Sequence, residues 1–216
     1  MRYILGNWKA NKNFIEVREW LYTFLREHEA NKDVVIGVFP PFPFISYVQG
    51  KLKDKKDVGI GAQTISSYEK GSFTGDVTAT SLEGMIKYAI IGHSERRKTF
   101  GETDEELRRK VDLALAHKIT PIYCVRDEKD PIPEGVTIVA YEPVAAIGTG
   151  QNEPPEQTVI MKKKMNLPKN CIFIYGGSVN ERNAVDYFAT GEIDGFLIGK
   201  ACLDPIQFEK IARAAA

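Results

Sequence analysis

Eight short runs of aliphatic and β-branched residues recur along the chain, and this repetition constrains the fold more than any other feature. Most of the runs are continuously apolar rather than alternating, as expected for parallel strands that are covered on both faces. Helical patterns lie between them, and strands that alternate with helices indicate parallel βα units. The runs cover residues 3–8, 34–39, 58–63, 88–92, 120–125, 136–141, 171–175 and 195–199.

Apolar residues at helical spacing and capping residues mark the intervening helices. Thr103 and Glu106 have the spacing of a capping box, and Asp204-Pro205 is typical of an N-cap followed by a first-turn proline. Two apolar stripes support helices after the first and fourth runs. They consist of Phe14, Val17, Leu21, Phe24 and Leu25, and of Leu107, Val111, Ala114 and Leu115.

The connection between the fifth and sixth runs departs from this alternation of strands and helices. Residues 126–135 contain Pro131, Pro133 and Gly135, which together cannot support a helix. We therefore predict an α/β fold with eight strands and seven full covering helices. It is a single-domain (β/α)8 TIM barrel over residues 1–216, with the helix between strands 5 and 6 replaced by a loop. Such barrels have about 250 residues and about 200 at the lower limit, so this one is shortened.

Composition excludes several classes of protein. The 29 basic and 29 acidic residues give a formal net charge of zero, so nucleic acid and acidic membranes are not expected partners. The N-terminus lacks the apolar region of a signal peptide, and no run approaches the ~18 apolar residues of a membrane span. We expect a cytoplasmic protein. Cys124, Cys171 and Cys202 are odd in number and lack C-x-x-C spacing, so we expect neither disulfides nor a zinc site.

Polar residues follow five of the predicted strands, at the rim where barrels of this kind place their chemistry. A carboxylate, an imidazole, an ammonium group and glycine-rich turns together favour acid–base chemistry on a small phosphorylated molecule. The residues are Asn7 and Lys9, His93 and Glu95, Glu142, Gly176-Gly177-Ser178, and Gly199-Lys200. No metal-ligand cluster competes with this interpretation, because His93 and Glu95 are two apart in a turn. We expect His28 and His117 to be solvated or C-terminal helix residues.

Six segments at these positions resemble the signature segments of the triosephosphate isomerase family and occur in that family's order. They read NWKAN at 7–11, IGHSERR at 91–97, AYEPV at 140–144, AIGTG at 146–150, YGGSV at 175–179 and DGFLIG at 194–199. The resemblance implies interconversion of dihydroxyacetone phosphate and glyceraldehyde 3-phosphate through an enediol, in glycolysis and gluconeogenesis. A proton shuttle of this kind needs no cofactor.

The resemblance also implies a role for each rim residue. Glu142 would be the base that moves the proton, and His93 would polarise the carbonyl as a neutral imidazole; this family is itself a standard example of a histidine kept neutral by a helix N-terminus. Lys9 would place a positive charge beside the developing oxyanion, and Asn7 would donate to the same oxygens. The alternative for Lys9 is an ordinary surface lysine without a catalytic role. Glu95 either tunes Lys9 or pairs structurally with Arg96 or Arg97.

The phosphate of the substrate would be held by glycine-rich turns and by a lid. In the family's pattern residues 143–150 form the lid, and Gly148 reaches the phosphate from it. Ser178 and the N–H groups of Gly199 and Lys200 would complete the site, with Gly177 as a possible supporting residue. The alternative for Gly176-Gly177 is a tight turn without a ligand.

The long polar segment 64–78 resembles the interdigitating loop through which the family forms a dimer, with Thr74 reaching toward the partner's active site. From the residues alone it is a long loop, and long loops in compact domains are usually functional. We expect a homodimer, with a higher oligomer as an open alternative.

The chain departs from the family at four places. Ala145 stands where the lid has tryptophan, which implies a looser lid, and Lys200 replaces a second glycine, which introduces either strain or an extra attraction for phosphate. Arg126 and Asp127 replace a glycine and a glutamate, and Asp127 retains a carboxylate for a possible pair with Arg97. The missing helix leaves the apolar wall of strands 5 and 6 uncovered, and either residues 131–133 or a second interface would cover this wall.

Two other functions compete with an active isomerase. One is a different phosphate-binding barrel enzyme that moves protons next to a carbonyl, and the other is a catalytically decayed barrel that serves as a binding or assembly module. The presence of Lys9, His93 and Glu142 together argues against both.

Overall fold

The computed structural model describes residues 1–143 and 152–215. Eight parallel strands form a closed barrel in which every strand pairs with its neighbours in chain order and the last pairs with the first. The predicted TIM-barrel fold is confirmed, with strand ends shifted by at most two residues from the apolar runs. The strands are β1 (Arg2–Asn7), β2 (Val34–Phe39), β3 (Val58–Ala62), β4 (Tyr88–Ile91), β5 (Thr120–Val125), β6 (Ile138–Tyr141), β7 (Ile172–Tyr175) and β8 (Gly195–Ile198).

Helices accompany every strand except β5 in the part of the chain that is described. They are α1 (Phe14–Glu27), α2 (Ile45–Leu52), α3 (Ala79–Leu82), α4 (Ser94–Thr99), α5 (Asp104–Ala116), α6 (Pro155–Lys164), α7 (Ala184–Ala189) and α8 (Pro205–Arg213). The connection from β5 to β6 is a loop, as predicted, while α3 has only four residues and is a minimal cover.

The predicted helix caps form. Thr103 and Glu106 exchange the two hydrogen bonds of a capping box at the start of α5. The Asp204 side chain accepts two backbone N–H groups at the start of α8. A capping box that sequence analysis missed, of Asn13 and Glu16, begins α1.

The core has two layers. An outer layer lies between strands and helices, and an inner layer fills the barrel with side chains such as Leu5, Phe39 and Ile122. Gly61 on β3 leaves room for the Phe39 ring, because a Cβ atom at Gly61 would lie 2.2 Å from it. Such close packing is what allows the barrel interior to be a core rather than a pore.

The β5–β6 loop covers the wall that the missing helix would otherwise expose. Ile132 packs against the outer core, and the outward-facing Tyr123 and Val139 have no exposed surface. The loop is closed by Arg126, whose backbone N–H and guanidinium both bind the Asp130 carboxylate, at 2.7 and 2.6 Å. The chain's own loop therefore covers this wall, as the first of the two alternatives predicted.

No helix among the residues that the structure describes is both long enough and apolar enough to cross a bilayer. All three cysteines are free thiols.

Candidate functional site

Asn7 and Lys9 stand at the carboxyl end of β1, where the backbone turns sharply. The Asn7 side-chain oxygen accepts the Lys9 N–H at 3.0 Å, and Lys9 adopts a left-handed backbone with φ of 52°. The Gln63 side chain donates to the Lys9 carbonyl at 2.9 Å and to the Phe39 carbonyl at 2.9 Å. Sequence analysis missed Gln63; its signal is an amide side chain directly after β3.

Glu95 contacts Lys9, which decides between the two alternatives for this residue. The Lys9 ammonium lies 2.6 Å from a Glu95 carboxylate oxygen. The neighbouring arginines have other partners: Arg96 pairs with Glu102 and Arg97 with Asp104. Because Lys9 and Glu95 are both partly exposed, this pair orients the ammonium more than it stabilises the fold.

His93 is the N-cap of the short helix α4, and its hydrogen bonds identify its tautomer. The Glu95 backbone N–H can only donate, and it points to His93 Nδ1 at 3.2 Å, so Nδ1 accepts and carries no proton. The proton of the neutral ring therefore sits on Nε2, which lies 2.9 Å from Glu142 Oε1. An Nε2–H that points into the rim of the barrel is the donor that an electrophilic histidine requires.

Glu142 follows β6 and is 1% exposed. Its second carboxylate oxygen accepts the Ser94 backbone N–H at 2.8 Å, so the buried carboxylate has a donor on each oxygen. Sequence analysis missed this role of Ser94, which follows from its place at the first turn of α4. Burial, with Glu142 nearby, raises the pKa of the Cys124 thiol well above its ordinary value, so the cysteine stays neutral beside the carboxylate.

The pair between Asp127 and Arg97, which the sequence left open, is not among the contacts of the described residues. Asp127 instead accepts the Lys129 N–H at 2.8 Å. Arg97 is buried, and besides Asp104 it binds the Gly92 and Cys124 carbonyls and the Tyr123 hydroxyl. A buried arginine with this many acceptors holds the turn after β4, and hence His93, in place.

A cavity of about 580 Å³ at this rim is lined by residues that follow β1, β7 and β8, whereas His93, Glu95 and Glu142 do not line it. Its size lies in the range of small-molecule sites. The predicted rim residues that line it are Asn7, Lys9, Gly176, Gly177, Ser178, Gly199 and Lys200. The structure thus brings together the ends of β1, β7 and β8 around one space.

Both glycines of the Gly176-Gly177 pair are required by contacts. A Cβ atom at Gly176 would lie 2.9 Å from the Glu142 side chain, and one at Gly177 would lie 2.1 Å from the Tyr175 hydroxyl. The pair therefore lets the β7 turn approach the base closely. Lys200 is not among the non-glycine residues with positive φ, so its side chain in place of glycine introduces no backbone strain.

Residues 144–151 lie outside the described part of the chain, and with them Gly148, Ala145 and most of the predicted lid 143–150. The residues just after this segment are held by hydrogen bonds to β6 and β7. Glu153 donates its N–H to the Tyr175 hydroxyl at 2.9 Å and accepts the Tyr141 hydroxyl on its carboxylate at 3.1 Å. Both tyrosines directly precede site residues.

The other two histidines lie away from this site. His117 ends α5 and contacts Glu83 at 2.9 Å, as expected of a C-terminal helix residue. His28 also ends its helix, as the second alternative predicted, but it is not solvated: its side chain is 1% exposed and lies between Asp57 and Glu209. Within residues 1–143 and 152–215, no group of three or more His, Cys, Asp or Glu side chains is arranged to hold a metal ion.

The arrangement combines a buried carboxylate, a neutral imidazole with its proton on Nε2 and a fixed cation. Such a set can take a proton from a carbon next to a carbonyl while the carbonyl oxygen is polarised. The adjoining cavity, lined by glycines, Ser178 and Lys200, suits a phosphate group.

Comparison with known proteins gives one consistent result. The family model described as triosephosphate isomerase matches residues 2–215. Relatives with the name triosephosphate isomerase include that of Aquifex aeolicus, 37% identical over 97% of this chain and 98% of the relative. Others are that of Mesomycoplasma hyopneumoniae, 35% identical over 97% and 98%, and that of Symbiobacterium thermophilum, 37% identical over 99% and 96%. The first alignment spans 244 positions against the 216 residues here, so the relative carries segments that this chain lacks.

Proposed function

The chain belongs to the triosephosphate isomerase family and is an isomerase that interconverts triose phosphates, and from this premise we propose that Glu142 is its general base and His93 its electrophile. The observation that carries the proposal is the 2.9 Å contact between His93 Nε2 and Glu142 Oε1, while His93 Nδ1 accepts the Glu95 N–H on the other side of the ring.

The substrate takes the place of the contact between these two residues. Its carbonyl oxygen accepts the hydrogen bond of His93 Nε2–H, and the freed Glu142 carboxylate removes the proton from the neighbouring carbon. The electron pair of the broken C–H bond forms the C–C double bond of an enediolate, and the carbonyl electrons move to oxygen. Proton transfer between the two oxygens through His93, and return of the proton from Glu142 to the other carbon, complete the isomerisation.

Lys9 stabilises the negative charge that develops on the enediolate oxygens, and Asn7 donates to the same region. The 2.6 Å contact of Lys9 with Glu95 and the Gln63 bond to its carbonyl hold the lysine at this rim. Glu95 therefore acts as a positioning residue for Lys9. The place of Lys9 in the lining of the 580 Å³ cavity favours this catalytic role over that of an ordinary surface lysine.

The phosphate of the substrate binds in the 580 Å³ cavity, between Ser178 and the N–H groups of Gly199 and Lys200. Gly177 supports this site by letting the β7 turn stand close to Tyr175. The Lys200 ammonium adds an attraction for the phosphate without backbone strain. From the family's pattern, Gly148 contributes one more N–H from the lid.

A coupled assay that starts from glyceraldehyde 3-phosphate tests the proposal. Glu142→Gln keeps the shape of the base and removes its basicity, so we expect the rate to fall by about 10² to 10⁴. Glu134→Gln, the same exchange at an exposed position of the β5–β6 loop, should leave the rate unchanged. Equal rates for the wild type and Glu142→Gln would exclude Glu142 as the base, and an inactive wild-type chain would favour the decayed-barrel alternative.

We also propose that the chain forms a homodimer through residues 64–78. The segment is closed on itself by Ser66, which binds the Asp76 carboxylate at 2.6 Å, and it presents a stacked pair of exposed rings, Tyr68 and Phe73, 3.7 Å apart. Exposed stacked aromatics on a preformed loop favour a protein interface. Sedimentation should give a dimer for the wild type and a monomer for Tyr68→Asp with Phe73→Asp; a wild-type monomer would refute the proposal.

The remaining expectations are that the chain is a single domain over residues 1–216 and that the protein is cytoplasmic. One closed barrel whose helices share a continuous outer core supports the first, and cooperative unfolding by fluorescence and circular dichroism would test it. Three free thiols and no disulfide support the second, and cell fractionation would test it.

A further inference from the structure

A second cavity, of about 450 Å³, lies at the opposite end of the barrel from the candidate active site. It is built where the chain enters β3, β4 and β5 from the preceding helices and turns. We call it the lysine groove. Five lysines line it, and no carboxylate does among the described residues; they are Lys53, Lys55, Lys56, Lys87 and Lys118.

The charge of the groove departs from that of the chain. Basic and acidic residues are equally frequent overall, at 29 each. The groove is therefore a local positive field in a protein whose formal net charge is zero.

Backbone hydrogen bonds between neighbouring turns fix the base of the groove. The Lys87 N–H donates to the Ile60 carbonyl at 2.8 Å, and the Lys87 carbonyl accepts the Thr120 N–H at 2.9 Å, so the residue that precedes β4 connects β3 with the start of β5. Lys55 is fixed in its turn by its N–H, which donates to the Leu52 carbonyl at 2.9 Å. Lys118 holds a left-handed backbone with φ of 58°.

None of the five ammonium groups has a carboxylate partner in the described part of the chain. By contrast, Lys9, Lys110 and Lys162 each contact a carboxylate oxygen within 2.9 Å. The Lys87 ammonium instead stands over the Tyr88 ring, 5.2 Å from its centroid. Asp57, which follows three of these lysines in sequence, pairs with His28 instead.

We propose that the lysine groove binds a small soluble anion that carries several phosphate groups, at a site separate from the active site. Five lysines around one cavity give it a positive potential, and a multivalent anion interacts favourably with several of them at once. Lysine is a common phosphate ligand because its ammonium is a compact point charge. A volume of about 450 Å³ admits a small molecule of this class.

A small anion fits these observations better than a nucleic acid. A polymer needs a basic surface that extends along its backbone, whereas the positive charge here is confined to one cavity and the chain is neutral overall.

Isothermal titration with inorganic tripolyphosphate tests the proposal on the full chain at low ionic strength. Dihydroxyacetone phosphate at saturating concentration fills the active site during the titration. The triple variant Lys55→Gln, Lys56→Gln, Lys87→Gln should bind tripolyphosphate at least about tenfold more weakly than the wild type, because three of the five charges are gone. Isomerase activity should be unchanged in this variant.

A charge-matched variant controls for the loss of net charge. Lys163, Lys164 and Lys169 are exposed and do not line the groove, and their triple exchange to Gln should change the affinity by less than about twofold. Sulfate at equal ionic strength should bind much more weakly than tripolyphosphate. Equal affinities of the two triple variants, equal binding of sulfate, or no binding of tripolyphosphate to the wild type would each overturn the proposal, as would binding only to RNA or to anionic vesicles.

Discussion

The buried histidine at the end of α1 predicts a pH-dependent stability of the fold. His28 Nε2 lies 2.9 Å from an Asp57 oxygen and Nδ1 lies 3.2 Å from a Glu209 oxygen, while the ring stacks on Phe24. A neutral ring can donate to only one of the two carboxylates, so only the imidazolium satisfies both. Burial alone would lower the pKa of His28, but the bonds and charges of Glu209 and Asp57 outweigh it and raise the pKa.

The sign of the effect follows from linkage. Because the folded pKa is raised, the stabilisation is fully present below the unfolded value of about 6.5 and is lost as the pH rises through the folded pKa. Deprotonation removes one charge-assisted hydrogen bond. Because the Asp57 side chain is 14% exposed, we assign this bond the low end of the usual contribution to stability, about 1.5 kcal/mol.

Removing the ring at low pH costs more, because it leaves two carboxylates without their shared cation. Breaking a buried ion pair costs about 3 to 5 kcal/mol. The low end applies here, because the Glu29 N–H still donates to Glu209 at 3.3 Å and Arg213 lies 3.9 Å from it. His28→Gln should therefore lower the free energy of unfolding by about 3 kcal/mol near pH 6, and by only about half of that once the wild-type ring is neutral.

Urea denaturation followed by tryptophan fluorescence, at several pH values and one protein concentration, measures this difference. His117→Gln is the matched control, since that ring contacts one carboxylate, Glu83, which is largely exposed; its effect should be small at every pH. A gap between the wild type and His28→Gln that stays constant from about pH 6 to pH 9.5 would refute the reasoning.

Three further changes test packing and hydrogen bonding around the barrel, all by urea denaturation. Gly61→Ala should destabilise the fold by about 1 to 3 kcal/mol, because its Cβ atom would lie 2.2 Å from the Phe39 ring. Gly50→Ala, in helix α2 with no atom within 4 Å of the new Cβ, should instead stabilise it by about 0.5 to 1 kcal/mol; equal effects would contradict the steric argument. Tyr141→Phe removes the hydroxyl that donates to Glu153 and should cost about 1 kcal/mol, whereas no loss would mean that this bond contributes nothing.

The strands and helix caps could be predicted because their determinants are local. Continuous apolar runs predicted β2 and β5 to the residue, and the capping residues Thr103 and Asp204 form the predicted bonds. The proline-rich loop after β5 could also be predicted, since its residues cannot form a helix in any context. Ile132 covers the outer face of β5 and β6. From the sequence this was only one of two alternatives, because the packing depends on side chains that are distant along the chain.

At the candidate site, the rim position of the residues could be predicted from the sequence, but not all of their contacts. The order of strands in a parallel barrel brings the carboxyl ends of all strands to one rim, so Lys9, His93 and Glu142 could be placed at the same end of the barrel. The partner of Glu95 had two equal alternatives, and the structure selects Lys9. Ser94 was missed because its contribution is a backbone N–H, which every residue other than proline possesses.

By itself the sequence determined the eight-strand barrel, its missing helix and the chemical groups at its rim, because periodicity, turn residues and strand order are properties of neighbours along the chain. Only the tertiary structure decided that His28 is buried between Asp57 and Glu209, and that five lysines from separate turns share one groove. These residues are up to 181 positions apart. Burial and charge depend on which groups the closed barrel brings together, and a local sequence pattern does not predict which groups these are.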